Sequence, residues 1–353
     1  MKRGVSPLNI TQKLLNIIIK QKPKLNVKKM CQVNYLSEKQ TQTVLACNSF
    51  QAIRDAINNL QNEPDCEYLA KVLLPPEKDV FAVKSLNPKD VVKATILGDI
   101  IGSKYEFAPH DYEKVRTMTL PPISARYTDD TVLSIATMNA VLKNDVTPDF
   151  ATEYKKAYHA HPHAGYGGSF INWSTSSSTQ GYHSMANGSI MRVSFIAAYY
   201  DDVRDVIKHT IESAMTTHNH VEGVKGAVIV AVCIWMALHG YTKKEIWSYC
   251  KRHYYVIDKN LLLNKGYYFD LTQKLEEIKL PPNRNTLFCS FVTPYIIKCF
   301  CETDSYDECM RELLSRFGDT DTMCAVAGGL CFAFDGVINF DVDDILAKHS
   351  VNI

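Results

Sequence analysis

The sequence predicts an all-α fold. Apolar residues recur at helical spacing in one segment after another, capping residues stand where those segments begin, and no succession of alternating strand-like runs appears. At 353 residues the chain is long enough for one large domain with an extension. No internal repeat is visible.

Residues 1–88 are rich in Lys, Asn and Gln and form an extension to a main domain over 89–353. Helices are expected at 11–20 and 49–60, the second with Ala52, Ile53, Ala56, Ile57 and Leu60 at helical spacing. Breaks are expected near Pro23, Pro64 and Pro75-Pro76. Three readings of this extension stay open: an accessory helical region, a partner-binding segment, and a partly disordered tail.

The main domain opens at Asn87, Pro88, Lys89 and Asp90, a cap, a first-turn proline and a first-turn acid. The helix that follows carries Val91, Ala94, Thr95 and Gly98 along one side, with Gly102 near its end. Each glycine costs roughly 1 kcal/mol of helix stability against Ala, so either a close approach to the backbone or tight helix packing is expected there. Residues 108–125, with Pro109, Pro121 and Pro122, read as irregular, and a helix is expected from Thr128 to about 142. Residues 149–160 read as helix, and 161–188 as a polar loop of Gly, Ser, Thr, His and Asn. Helices follow at 203–217, 224–239, 243–254, 294–300, 306–317 and 323–334. The run 224–238 is the most apolar, but it carries Lys225 and is shorter than the ~20 residues of a membrane span, so a buried core helix is expected.

Lys plus Arg number 39 against 38 Asp plus Glu, a net charge of +1, which argues against a dedicated nucleic-acid binder. Hydrophobic content of 46% is ordinary for a soluble protein. The eleven cysteines are scattered and odd in number, without a zinc-type pair. Reduced thiols in a cytoplasmic compartment are therefore expected, and Cys299 and Cys301 read as ordinary helix residues. The short apolar run 17–19, flanked by lysines, does not make a secretory leader.

Two stretches stand out. Residues 126–133 read Arg-Tyr-Thr-Asp-Asp-Thr-Val-Leu, and residues 318–322 read Gly-Asp-Thr-Asp-Thr, each directly before an apolar helix. One such start is explained by capping and the helix dipole. Two together bring four carboxylates and two hydroxyls, Thr128, Asp129, Asp130, Asp319, Asp321 and Thr322, which would repel unless cations sat among them. Oxygen-only ligands suit hard ions, Mg²⁺ or Mn²⁺.

With these two stretches the chain resembles the ADP-ribosylglycohydrolase family, including the dinitrogenase reductase-activating glycohydrolases. Gly98, Asp99 and Gly102 with Glu106-Phe107 are similar to the family's opening motif. Gly165, Tyr166, Gly167, Gly168, Ser169 and Phe170 with Trp173 follow in family order, then residues 187–194, Asn-Gly-Ser-Ile-Met-Arg-Val-Ser, then residues 217–223. The matching motifs run over roughly residues 90–340.

The resemblance implies an orthogonal helical bundle and two divalent cations, Mg²⁺ or Mn²⁺, held by the six residues above against the ribose hydroxyls. It implies hydrolysis of a glycosidic bond at the ribose anomeric carbon, releasing ADP-ribose from a protein side chain or related conjugate, with arginine linkage favoured by analogy. Glu106, Asp129 and Asp130 are the catalytic candidates, Glu106 also having a reading as a solvated side chain, and Asp99 reads as supporting. Gly165, Gly167, Ser169, Asn187, Gly188, Ser189 and Met191 are expected around the diphosphate, where backbone amides meet phosphates. Arg192 would contact phosphate or form a buried salt bridge, and His218 would lie near the distal ribose or sit in the core. His159, His161 and His163 read as loop histidines rather than zinc ligands. A monomer with no membrane partner is expected.

Three residues depart from the family pattern: Phe317 and Ala186 where Gly is usual, and Val221 where Pro is usual. A silent member serving as an ADP-ribose-binding or structural protein is the rival reading. A His-Asp phosphohydrolase, suggested by His110-Asp111, lacks the upstream histidine it needs, since none precedes His110.

Overall fold

The computed structural model describes residues 23–47, 49–78, 83–108, 111–254, 270–278 and 284–353. The helix expected at 11–20 and the residue His110 lie outside them. Among the described residues the chain is helical, and its β-structure is one isolated bridge between Ala186 and Phe288. The all-α expectation holds. The chain divides into two units, one containing the described residues up to Leu69 and the other running from Ala70 to the C-terminus apart from 256–265.

In the smaller unit α1 (Pro23–Val33), α2 (Glu38–Leu45) and α3 (Phe50–Gln61) enclose Val27, Met30, Cys31, Leu36, Val44, Ile53 and Ile57. Pro23 is the first described residue of α1. Ser37 and Gln40 form a reciprocal capping box before α2, and Ser49 caps α3.

The larger unit takes in residues that the sequence grouped with the extension. After α4 (Cys66–Val72), Tyr249 donates to the Leu73 carbonyl at 2.7 Å and Tyr241 to that of Pro76 at 2.9 Å, strapping this linker down. In α5 (Pro88–Gly102), Asn87 caps as expected, accepting from the Lys89 amide. After the short α6 (Tyr112–Val115), α7 (Asp129–Lys143) and α8 (Phe150–Ala160) stand where helical spacing placed them. The polar loop is not wholly loop: α9 (Gly168–Ser174) forms within it, pinned by buried Phe170 and Trp173 and by Tyr166 stacked on Phe170 at 5.1 Å.

The next helices are α10 (Ser194–Tyr199), α11 (Val203–Met215), α12 (Val221–Leu238) and α13 (Lys243–Tyr254). Every residue of α12 is buried, and it packs against α10, α11, α13 and two later helices, α14 (Cys289–Glu302) and α16 (Thr320–Asp335). Pro294 lies inside α14 rather than at its start. Near the N-terminal end a proline forfeits one intrahelical bond, which burial of the helix's apolar side chains offsets. Between these, α15 (Tyr306–Leu314) stops three residues earlier than expected, and α17 (Val342–Lys348) follows α16. All eleven cysteines are free, eight of them buried.

The central pair is α5 and α16. A Cβ on Gly98 would lie 2.1 Å from the Cys324 carbonyl oxygen, one on Gly102 2.1 Å from that of Thr320, and one on Gly328 2.5 Å from that of Ala94. The two readings of these glycines thus merge, since the backbone that approaches is that of the packed helix.

Candidate active site

The packing of α5 on α16 carries Asp99 to the start of α7. Asp99 is fully buried and accepts from the Thr128 amide (2.8 Å), the Thr128 hydroxyl (2.7 Å), the Thr131 amide (3.1 Å) and the Thr131 hydroxyl (2.5 Å). These bonds saturate free amides of the α7 N-terminus and place a negative charge at its positive end. Asp129 and Asp130 are thereby fixed in the first turn.

The α16 start arrives from the other side. Gly318 at φ +154° lets the chain pass Thr286, whose hydroxyl accepts from the Asp319 amide at 3.1 Å. Asn187 donates to Asp319 Oδ2 at 2.7 Å and to the Thr286 carbonyl at 3.3 Å. The Thr320 hydroxyl donates to the Gly102 carbonyl at 2.8 Å, and the Thr322 amide to Asp321 Oδ1 at 2.9 Å. The two starts meet at Asp130, whose Oδ2 accepts from Thr128 and Thr322 hydroxyls, each at 3.3 Å. Thr322 thus reaches a carboxylate oxygen of a residue 192 positions before it in the chain.

The result is a concentration of negative charge. Asp99, Asp130 and Asp321 bring carboxylate oxygens within 4.8 Å of one another, and so do Glu106, Asp319 and Asp321. Among the described residues no lysine or arginine forms an ion pair with the five aspartates. Burial, then Asp321 and Asp99, push the Asp129 and Asp130 carboxyls well up; burial and Asp319 do the same to Asp321. Burial raises Asp319 from 3.8 to about 6.

Asp130 Oδ1 is buried with no hydrogen-bond partner among the described residues. An orphaned carboxylate oxygen within a cluster of uncompensated charge fits a hard divalent cation, which prefers carboxylate, hydroxyl and water oxygens. Thr128, Asp129, Asp130, Asp319, Asp321 and Thr322 are all brought together here.

The raised carboxyls predict an unusual pH response. A carboxyl raised in the fold binds a proton that the unfolded chain has already released, so its contribution to stability is present at low pH and lost as pH rises through the folded value. For Asp319 that window lies between its ordinary 3.8 and about 6. In EDTA the melting temperature is expected to fall between about pH 4 and pH 6, and excess divalent cation to flatten the profile. A flat or rising profile in EDTA would contradict this charge distribution.

The other predicted residues divide into two groups. Around the cluster, Glu106 is exposed, and a Cβ on exposed Gly165, at φ +109°, would lie 3.5 Å from Asp129 Oδ1. Gly167 and Ser169, also exposed, begin α9, and a Cβ on Gly167 would meet open space. Asn187 holds Asp319, and Gly188 faces His218, whose Nε2 would lie 3.0 Å from a Cβ there. His218 is 5% exposed, bonded through Nδ1 to the Thr217 hydroxyl at 2.8 Å, and burial followed by Arg192 holds it well below the usual histidine range.

The second group is internal. Ser189 Oγ donates to the Gly223 carbonyl at 2.8 Å, and Met191 is buried with its sulfur 3.9 Å from the Thr322 hydroxyl. Arg192 is fully buried, donating from Nη2 to the Ser213 carbonyl (2.9 Å) and the Thr217 hydroxyl (2.7 Å), with its guanidinium 4.1 Å over the Tyr154 ring. Neither expectation for Arg192 describes it. It is not presented to a phosphate, and among the described residues it pairs with no carboxylate. A neutral shell and an aromatic face hold the charge instead.

Thr286, which steadies Asp319, and Thr131, which clamps Asp99, do not stand out in the sequence. Nothing in the residues around Thr286 signals its role; Thr131 is visible only as the second threonine of Thr-Asp-Asp-Thr. The groups of potential metal ligands among the described residues are acidic, and none includes His159, His161 or His163.

Comparisons with known proteins follow the same lines. The sequence profile described as ADP-ribosylglycohydrolase matches residues 90–342. A protein of Acanthamoeba polyphaga mimivirus, provisionally named ADP-ribosyl glycohydrolase L543, is 22% identical over 69% of this chain and 86% of its own. ADP-ribosylhydrolase ARH3 of Mus musculus is 31% identical over 42% of this chain and 48% of its own; that of Homo sapiens is 29% identical over 46% and 53%. The match thus spans about half the length of these two relatives. A solved structure titled ADP-ribosylglycohydrolase-related protein complex shares the fold at a TM-score of 0.53 and 19% identity, covering 70% of this chain and 86% of its own. The profile spans the helices that deliver Asp99, both acidic helix starts and the glycine-bearing loops between them, and on that match this chain belongs to the ADP-ribosylglycohydrolase family.

Proposed function

We propose that the acidic cluster holds two divalent cations, Mg²⁺ or Mn²⁺, and that the protein hydrolyses the glycosidic bond joining ADP-ribose to a protein side chain or related conjugate. The observation that carries this reading is the meeting of two acidic helix starts around Asp130, with one of its oxygens left unpartnered. Family membership and the named activity of the ARH3 relatives support the substrate class.

Thr128, Asp129, Asp130, Asp319, Asp321 and Thr322 would hold the cations, which supply Lewis acidity toward ribose hydroxyls and bound water. Asp99 keeps the α7 start in place, and Asn187 and Thr286 keep Asp319 aimed inward. Glu106, exposed beside Asp319 and Asp321, would take the proton of the attacking water, with Asp129 as the other candidate. The bond from the anomeric carbon to the side chain breaks, and the leaving group takes up a proton. Backbone amides at Gly165, Gly167, Ser169 and Gly188 would receive the diphosphate, and His218, neutral and against Gly188, would border the distal ribose. Free thiols throughout accord with a reducing, cytoplasmic compartment.

The test is release of free ADP-ribose from arginine-linked and serine-linked modified proteins, with Mg²⁺, with Mn²⁺ and with EDTA. Release from the arginine linkage supports the linkage expected by analogy; release from serine alone keeps the reaction class and replaces the linkage. Metal binding without release from either would favour a silent, ADP-ribose-binding member.

A further inference from the structure

The segment carrying Glu106 is tied to the segment carrying the α16 aspartates by a contact that depends on Phe317, the residue standing where the family pattern usually has glycine. The Phe107 amide donates to the Gly318 carbonyl at 2.8 Å. The Phe107 ring meets the Phe317 ring edge to face, with centroids 6.0 Å apart and planes at 66°. Phe107 itself sits at φ +45°, in the left-handed region that side chains rarely adopt. Such a conformation persists only where its surroundings enforce it. The bond and the ring contact are part of that enforcement.

The location gives this tether its meaning. Glu106 immediately precedes Phe107, and its carboxylate comes within 4.8 Å of oxygens of both Asp319 and Asp321 although the residue is exposed. Like charges would drive such a glutamate outward into solvent. We infer that Phe317 is a positioning residue, whose ring clamps Phe107 and thereby holds Glu106 beside Asp319 and Asp321. The aromatic pair is a device of this chain, because a glycine at 317 offers no ring. This inference rests on the proposed hydrolysis for its kinetic consequence, but the clamp is a structural statement that can be read without turnover.

The test uses the full chain with Phe317→Gly, Phe317→Tyr and Glu106→Gln. Hydrogen exchange at the Phe107 amide is expected to be roughly tenfold faster or more in Phe317→Gly and near wild type in Phe317→Tyr. Unchanged exchange in Phe317→Gly would overturn the clamp. On ADP-ribosylated substrate, kcat of Phe317→Gly is expected to fall about tenfold with KM little changed, as for a displaced reacting group, and Phe317→Tyr to restore it. In the Glu106→Gln background the Phe317→Gly change is expected to add no further loss. An additive loss would show action through the neighbouring aspartates and overturn the inference. An inert wild type would defeat the proposed function together with the kinetic half of this inference. An active wild type with an equally active Phe317→Gly would defeat this inference alone.

Discussion

Asp321→Asn is expected to lower ADP-ribose release on the order of a thousandfold, or about 4 kcal/mol of barrier, while leaving the fold intact. Asp321 belongs to both groups of converging carboxylates and so would be shared by the two cations proposed above. An amide is a poorer ligand for a hard cation, but its oxygen can still accept the Thr322 amide, which Asp321 Oδ1 accepts at 2.9 Å. The effect on stability has the opposite sign to the effect on activity. Asp321 raises the Asp129 and Asp130 carboxyls by its charge, so removing that charge relieves repulsion in the metal-free protein. Turnover assays paired with melting curves in EDTA should therefore show activity lost and melting temperature unchanged or raised. A variant that unfolds, or one that keeps most of its activity, would contradict the assignment.

Gly102→Ala is expected to destabilise the protein by about 3 kcal/mol, the upper end of ordinary overpacking. The added Cβ would lie 2.1 Å from the Thr320 carbonyl oxygen and 2.6 Å from the Asp321 Cα, both backbone atoms that no rotamer change can move. Relief requires α5 and α16 to part. For a unit of this size that corresponds to a melting temperature lower by roughly 6–12 °C. Parting the helices also withdraws Asp321 from Asp99 and Asp130, so cation affinity should fall with stability. A melting temperature within a degree or two of wild type would show that the pair is looser than this packing.

The sequence conveys the helices well because most are long and regular in spacing. Asn87, Pro88 and Asp90 mark the start of α5, and the Thr-Asp-Asp-Thr stretch marks that of α7. The failures have local causes. Helix α9 is seven residues long and its glycines and serines read as loop, whereas buried Phe170 and Trp173 hold it together. Pro294 reads as a start because a proline's penalty is visible in sequence and the burial that offsets it is not. The site is legible as a set of ligand types, yet its assembly is not. That Thr128 and Thr322 reach the same oxygen of Asp130 follows from the backbone contact of Gly98 and Gly102 with α16, and glycine in a helix signals only that something comes close. Arg192 shows the converse: its motif suggests phosphate, while Tyr154, Ser213 and Thr217, far apart in the chain, keep it in the core.

The central claim is that the meeting of two acidic helix starts makes a divalent-cation site that serves ADP-ribose hydrolysis. The most direct test is to strip the protein with EDTA and titrate Mn²⁺ back, following bound metal and ADP-ribose release in the same sample. The account predicts no release from the stripped protein and activity that returns as about two equivalents bind, the number that two groups of converging ligands can hold. Full release in EDTA, or saturation with Mn²⁺ that restores nothing on either linkage, would contradict it.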